Sequence, residues 1–117
     1  MANKAKIAPG AIPSPNIWHS PAVYELENRA VDPEGAADAA IKAIRPWTGA
    51  VIVDIGCGTG FHLPRYAAEA ARVIGVEPHS GLARLARQRC AGLANVTVHT
   101  GVAQALPLPD ASVDLAV

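Results

Sequence analysis

The sequence predicts an α/β chain, a doubly wound and mostly parallel sheet with about four strands. Two observations predict it. Val51-Ile52-Val53-Asp54-Ile55, four of its five residues apolar and β-branched, runs into glycines at alternate positions, Gly56, Gly58 and Gly60. Three more short apolar runs, at Val73–Glu77, Val96–His99 and Val113–Val117, follow it, and helical patterns separate the first three of these runs. Strands so uniformly apolar are read as buried on both faces, the mark of a parallel sheet covered by helices. Right-handed crossovers then place any ligand outside the carboxyl ends of the strands.

A length of 117 residues allows one domain. Ten Lys and Arg balance ten Asp and Glu, so the composition offers no nucleic-acid-binding face and no acidic tail. The apolar runs fall well short of the ~20 residues of a membrane helix. No continuous apolar stretch follows Lys4 and Lys6, so no secretory signal is expected. Cys57 and Cys90 stand far apart in different predicted elements, which points neither to a metal site nor to a disulfide framework. A reducing cytoplasm is the expected setting.

Residues 1–21 carry Pro9, Pro13, Pro15 and Pro21 and read as a loose arm, within which Ile17-Trp18-His19 is the stretch most suited to being held down. Trp18 is read there as a packing residue. Val23 to Ala30 reads as a short helix. A better one follows, with Asp32 as N-cap, Pro33 and Glu34 in its first turn, Ala37, Ile41 and Ile44 on one face, and Pro46 as its stop. Trp47-Thr48-Gly49 leads into the first strand. After the glycines, Phe61 to Arg72 reads as a helix that tolerates Pro64 in its first turn. Val73–Glu77 is a second buried strand. Ser80 is the expected cap of the next helix, whose face is Leu82, Leu85, Ala86 and Arg89. Asn95 turns into a third strand with Val96 and Val98 inward. Gly101 to Pro109 is a loop, and Val113–Val117 is the fourth strand. This divides the chain into an N-terminal arm with helical segment, 1–47, and a ligand-binding part, 48–117.

Two ligands compete for the glycine turn. A dinucleotide calls for G-x-G-x-x-G, which sets a pyrophosphate on a helix N-terminus. Here the third glycine comes one residue early, and Asp54 precedes the first. A carboxylate there sits poorly beside a diphosphate and suits an ammonium or sulfonium. Glu77, at the tip of the second strand, is placed to accept from a ribose diol. The two acids say nucleoside, and the loop says without a pyrophosphate.

Val51–Gly60, Val73–Ser80 and Thr100–Val117 together resemble the class I S-adenosylmethionine-dependent methyltransferases, in the broad small-molecule group. The resemblance implies the Rossmann-like methyltransferase fold and S-adenosyl-L-methionine as cofactor. It implies that Asp54 and the backbone around Gly56, Cys57 and Gly58, in a turn completed by Gly60, hold the methionine end. Glu77 would take the ribose hydroxyls, Pro78 would pack near adenine, and the Ala103 N–H would meet the adenine edge. Where Val102 stands the family commonly has an aspartate, so Gln104 or water is expected to substitute, or affinity drops by the worth of one hydrogen bond, about 1 kcal/mol.

Other residues have plainer readings. Cys57 fills space in the turn, having no His–acid pair to activate it. His62, just past the loop, is the one histidine with a substrate-facing alternative, but its favoured reading is plain packing, while His19, His79 and His99 read as surface or edge residues. Arg84, Arg87 and Arg89 read as a solvated helix face. No side chain is assignable as a catalytic base, and no metal is expected.

The resembled family has seven strands, so the chain is expected to be part of a longer protein and to self-associate through an exposed fourth-strand edge when alone. The expected partner is a small-molecule substrate, with no nucleic acid and no membrane. Two rivals remain: a truncated, non-catalytic cofactor-binding module, and a nicotinamide-dependent oxidoreductase.

Overall fold

The computed structural model describes residues 5–117; residues 1–4, including Lys4 and the start of the expected arm, lie outside the described residues. The elements run α1 (Pro15–His19), α2 (Pro21–Val31), α3 (Ala36–Ile44), β1 (Val51–Ile55), α4 (Leu63–Ala67), β2 (Arg72–Glu77), α5 (Ser80–Arg89), β3 (Val96–Thr100) and β4 (Leu115–Ala116).

The four strands form one sheet in the order β3-β2-β1-β4, every pairing parallel. The chain therefore steps outward from β1 through β2 to β3, then returns to the far side of β1. That reversal makes the carboxyl end of β1 the switch point, where a doubly wound sheet opens a crevice.

Alternating side chains divide the sheet into two faces. Ile52, Val73 and Val98 pack under Leu63 and Tyr66 of α4 and Ala83 and Ala86 of α5, with Trp47 and Ile41 closing the same cluster. Val53, Ile74 and Val76 form the other face, covered by Leu106, Leu108 and Val113 of the β3–β4 connection. These central strand residues are at most 1% exposed, apart from Val98 at 8%. Each aliphatic side chain so buried contributes roughly 1.5–3 kcal/mol, so most of the fold's stability resides in β1, β2 and what covers them. Gly75 belongs to this economy of space: a Cβ there would lie 2.8 Å from the Cys57 sulfur.

Several elements differ from their sequence expectation. The helix after the glycines covers only Leu63–Ala67 instead of Phe61–Arg72. Its continuation is lost because the Ala71 and Arg72 N–H groups donate to the Ala50 carbonyl at the entrance to β1. The Asn95 amide meanwhile takes the carbonyls of Ala67 and Ala70, at 2.9 and 3.1 Å. Tertiary hydrogen bonds outcompete the helical ones.

Asp32 does cap α3, but from outside it. Its carboxylate accepts from the N–H groups of Ala36 and Ala37, while Gly35, at φ +73°, is the residue at the helix boundary. The cap of α5 is His79, whose Nδ1 accepts from the Leu82 N–H; Ser80, expected there, instead gives its hydroxyl oxygen to the Lys6 N–H. The described part of the arm has structure too. It holds α1, and α2 is longer than the Val23–Ala30 helix expected. The ladder of β4 is confined to Leu115–Ala116, although backbone bonds to β1 run from Asp114 to Val117.

Candidate functional site

At the end of β1 the backbone turns sharply. Gly56 has φ +79°, a region where a side chain is strained, and the space before it is open: a Cβ would meet nothing within 4 Å. Gly60, at φ +75°, is required for a second reason, since a Cβ would lie 2.9 Å from that of Ala86 on α5. The turn is thus open at its first glycine and jammed against a helix at its last.

Its N–H groups face inward. Those of Gly56 and Cys57 donate to the Val76 carbonyl at 2.7 and 3.1 Å, and that of Gly60 donates to the Cys57 carbonyl. The Gly58 N–H donates to Glu77 Oε2 at 2.9 Å. A loop that has used these donors is not the nest of N–H groups that a diphosphate needs.

Glu77, 4% exposed, ends β2 beside this loop. Its second oxygen accepts from the His79 N–H at 2.9 Å. Burial raises its pKa, against the opposing pull of the His79 and Gly58 N–H groups. Asp54 sits one strand away, opposite Gly75 in the ladder. Burial, and secondarily the charge of Glu77, push its carboxyl up to about 6. Among the described residues neither acid has a cationic side chain in ion-pair contact. Two carboxylates, Glu77 buried and Asp54 half-buried, with no cation paired to them favour a positively charged ligand.

The crevice has two adjoining compartments. One, of about 330 Å³, is lined by Ile55, Gly56, Val76, Pro78, Gly101, Val102, Ala103 and Gln104, with Gly10, Ala11 and Ile12 across its mouth. The other, of about 310 Å³, has Gly56, Glu77 and Pro78 as floor and Ile12, Ser14, Ile17, Trp18 and Tyr24 as roof. Gly56 and Pro78 join the two.

The crevice therefore gathers Gly56, Glu77, Pro78, Ala103 and Gln104, whereas Asp54 lines neither compartment. Cys57, 7% exposed, lies instead in the core with its thiol pushed up by burial, and Gly60 packs on α5. Gly58 serves through its bond to Glu77 and lies under Ile17 and Tyr24. Gln104 is turned to the arm, its Nε2 donating to the Gly10 carbonyl at 3.0 Å. The roof is what sequence reasoning missed. Trp18 was expected only to pack; it lines the crevice and lies against the His79 ring with centroids 4.9 Å apart. His79, expected at the surface or an edge, is half-buried beside Trp18, and Ile17-Trp18-His19 was the available signal.

One further expectation, that of the arginines, is corrected, while His62 is packed as its plainer reading has it. Arg89 does not face solvent alone: it donates to Glu25 at 2.7 Å and to the Thr59 carbonyl at 3.1 Å, and the Thr59 hydroxyl donates to Glu25. Arg87 donates to the Val98 carbonyl, bracing α5 on β3. His62 lies against Phe61 and Tyr66, with its pKa lowered by burial and then by Arg65.

Residues 52–117, more than half of the chain, match the family model described as a methyltransferase domain. The chain belongs to that family. The YcgJ protein of Bacillus subtilis is similar over 68% of this chain and 35% of its own, at 27% identity and a TM-score of 0.61. CalS10, an amino pentose methyltransferase from Micromonospora echinaspora solved with S-adenosylmethionine, is 34% identical over 74% of this chain and 37% of its own, at a TM-score of 0.57. A curated relative, the tRNA U34 carboxymethyltransferase of Photorhabdus laumondii, is 43% identical over 42 residues, 35% of this chain and 13% of that protein. The methyltransferase domain described here thus spans well under half the length of the proteins it matches. The family match opens inside β1 and takes in Asp54, the glycines and Glu77, whereas the roof lies ahead of it.

Proposed function

We propose that the chain is the cofactor-binding part of an S-adenosylmethionine-dependent methyltransferase acting on a small molecule. The observation that carries this reading is the pair Asp54 and Glu77, the first half-buried and the second buried, beside a glycine turn that has used its own N–H donors. Each oxygen of Glu77 takes one backbone N–H and keeps a second lone pair. Two lone pairs on one fixed carboxylate match the two hydroxyls of a ribose. Asp54 receives the ammonium of the methionine end, aided by carbonyl oxygens of the Gly56–Gly58 turn. Pro78 and Val102 flank the adenine, and the Ala103 N–H meets its edge.

When bound, S-adenosylmethionine supplies a methyl group activated by its sulfonium sulfur. This chain's residues bind and orient, and Ile12, Ile17, Trp18 and Tyr24 cover the second compartment. Rate enhancement by holding reactants in line needs that kind of positioning. No residue of the crevice floor is placed as a base.

A small-molecule acceptor is supported by the zero formal charge and by the likeness to an amino pentose methyltransferase. Among the described residues no helix is long and apolar enough to cross a membrane. Cys57 and Cys90 are both free and buried, which fits a reducing cytoplasm.

Calorimetry with S-adenosylmethionine, S-adenosylhomocysteine and NAD tests the reading. The first two are expected to bind, and NAD at least a hundredfold more weakly. NAD binding as tightly as S-adenosylhomocysteine overturns it in favour of an oxidoreductase. A chain that binds the cofactor, yet transfers no methyl group within the protein it belongs to, is the non-catalytic module.

A further inference from the structure

Residues 5–19 form a strap across the carboxyl ends of β2 and β3. Lys6 and Ser80 exchange two bonds, the Lys6 N–H to the Ser80 hydroxyl at 2.7 Å and the Ser80 N–H to the Lys6 carbonyl at 2.8 Å. The Ala8 N–H donates to the Pro78 carbonyl at 2.8 Å, and Ile7 pairs antiparallel with His79. Beyond this ladder the strap turns at Gly10, and there a side chain grips it: Gln104, from the loop after β3.

The other end of the strap is firmly rooted. Ser20 alone separates α1 from α2, and α2 is tied to the glycine turn through Glu25, Arg89 and Thr59. The part ahead of Ser20 has no such anchor to the glycine turn. Glu77 lines the second compartment beneath Ile12 and Trp18 of the strap, so a nucleoside held by that carboxylate lies under the strap.

We infer that Gln104 is a positioning residue, a latch that acts on the bound nucleoside through the strap by holding Gly10 across the first compartment. This rests on the nucleoside reading above and changes one part of it. The Gln104 amide donor is engaged by Gly10, so it does not replace the acid missing at Val102; it secures the adenosine end from the opposite wall. Strap release then sets how fast a nucleoside ligand leaves.

The test uses Gln104→Ala and Gln104→Glu; the residue is exposed, so both variants are expected to fold. Without ligand, amide hydrogen exchange at Lys6 and Ala8 is expected to quicken about tenfold in Gln104→Ala, while that of the β2 amides stays as in the wild type. The scale is that of one lost hydrogen bond. Gln104→Glu, which sets a carboxylate against the Gly10 carbonyl, is expected to do at least as much. Stopped-flow displacement of S-adenosylhomocysteine is expected to show five- to tenfold faster release, with the association rate changed less. Unchanged exchange at Lys6 and Ala8 overturns the latch. Faster exchange with an unaltered release rate overturns its role in positioning the ligand. Should the wild type bind no S-adenosylhomocysteine, the reading under Proposed function fails, and exchange at Lys6 and Ala8 still decides the latch.

Discussion

The floor and the roof of the crevice are built on different principles. The floor consists of ladder-bonded strand ends whose neighbours Val53 and Val76 are at most 1% exposed. The roof comes largely from the strap ahead of Ser20, where Ile12 over the crevice remains 87% exposed. Groups that must be held within a fraction of an ångström sit where opening costs nearly the whole unfolding free energy. The segment that covers them sits where opening costs least. Preorganisation and access are assigned to separate parts of one short chain.

Substitution of Glu77 is the strongest way to break this contrast. Glu77→Gln puts an NH₂ group against either the Gly58 or the His79 N–H, a donor facing a donor, and removes the charge that two ribose hydroxyls would meet. Hydrogen bonds to a charged acceptor contribute ~1.5–3 kcal/mol each. The expected loss of S-adenosylhomocysteine affinity by calorimetry is on the order of a hundredfold or more. Trp18→Ala in the roof is expected to cost only about tenfold, the scale of one stacked contact. A roof substitution as damaging as the floor substitution ends the distinction.

A stability experiment sharpens it. Gly60→Ala combines φ +75° with a Cβ–Cβ approach of 2.9 Å to α5, so backbone strain and overpacking add. The expected destabilisation is about 2–3 kcal/mol, and the melting temperature is expected to fall by roughly 10 °C. Gly35→Ala serves as the comparison, for it shares the positive φ, +73°, but has no atom within 4 Å of its Cβ. Its cost is expected near 1 kcal/mol, the conformational part alone. Equal shifts in the two variants mean that the packing of the turn on α5 contributes nothing.

The same division explains what the sequence could tell. Val51–Gly60 and Val73–Glu77 are legible because both their secondary structure and their chemistry are local: β-branched runs, glycines where the backbone must turn, an acid at each strand tip. The strap is not. No periodicity in residues 5–19 announces that Lys6, Ala8 and Gly10 will meet Ser80, Pro78 and Gln104, each seventy or more positions away. The same holds for the early end of α4, set by Ala50 and Asn95. Asp32 was expected as the N-cap residue with Pro33 and Glu34 in the first turn of α3; instead those two form a turn, Gly35 is the N-cap residue, and the Asp32 carboxylate reaches the first helical N–H groups from outside. Asp54 marks the limit: its presence was readable, but its pKa depends on burial under a fold that had first to be known.

That raised pKa gives the smallest effect and the most selective one. The Asp54 carboxyl moves from 3.8 to about 6, so between those values the folded protein holds a proton that the unfolded chain has released. Its contribution to stability is full below about pH 4 and is lost as pH rises through about 6. A cationic ligand has the opposite preference, for the ionised acid. S-adenosylmethionine affinity is therefore expected to fall about tenfold from pH 7 to pH 5, with proton release on binding near pH 6. Calorimetry in buffers of different ionisation enthalpy reads that release directly. In Asp54→Asn affinity is expected to be weaker throughout and flat across this range, while the melting temperature declines less between pH 4.5 and pH 7 than in the wild type. If the variant keeps the wild-type pH dependence of binding, the proton belongs to another group and Asp54 is not where the ligand's positive charge lies.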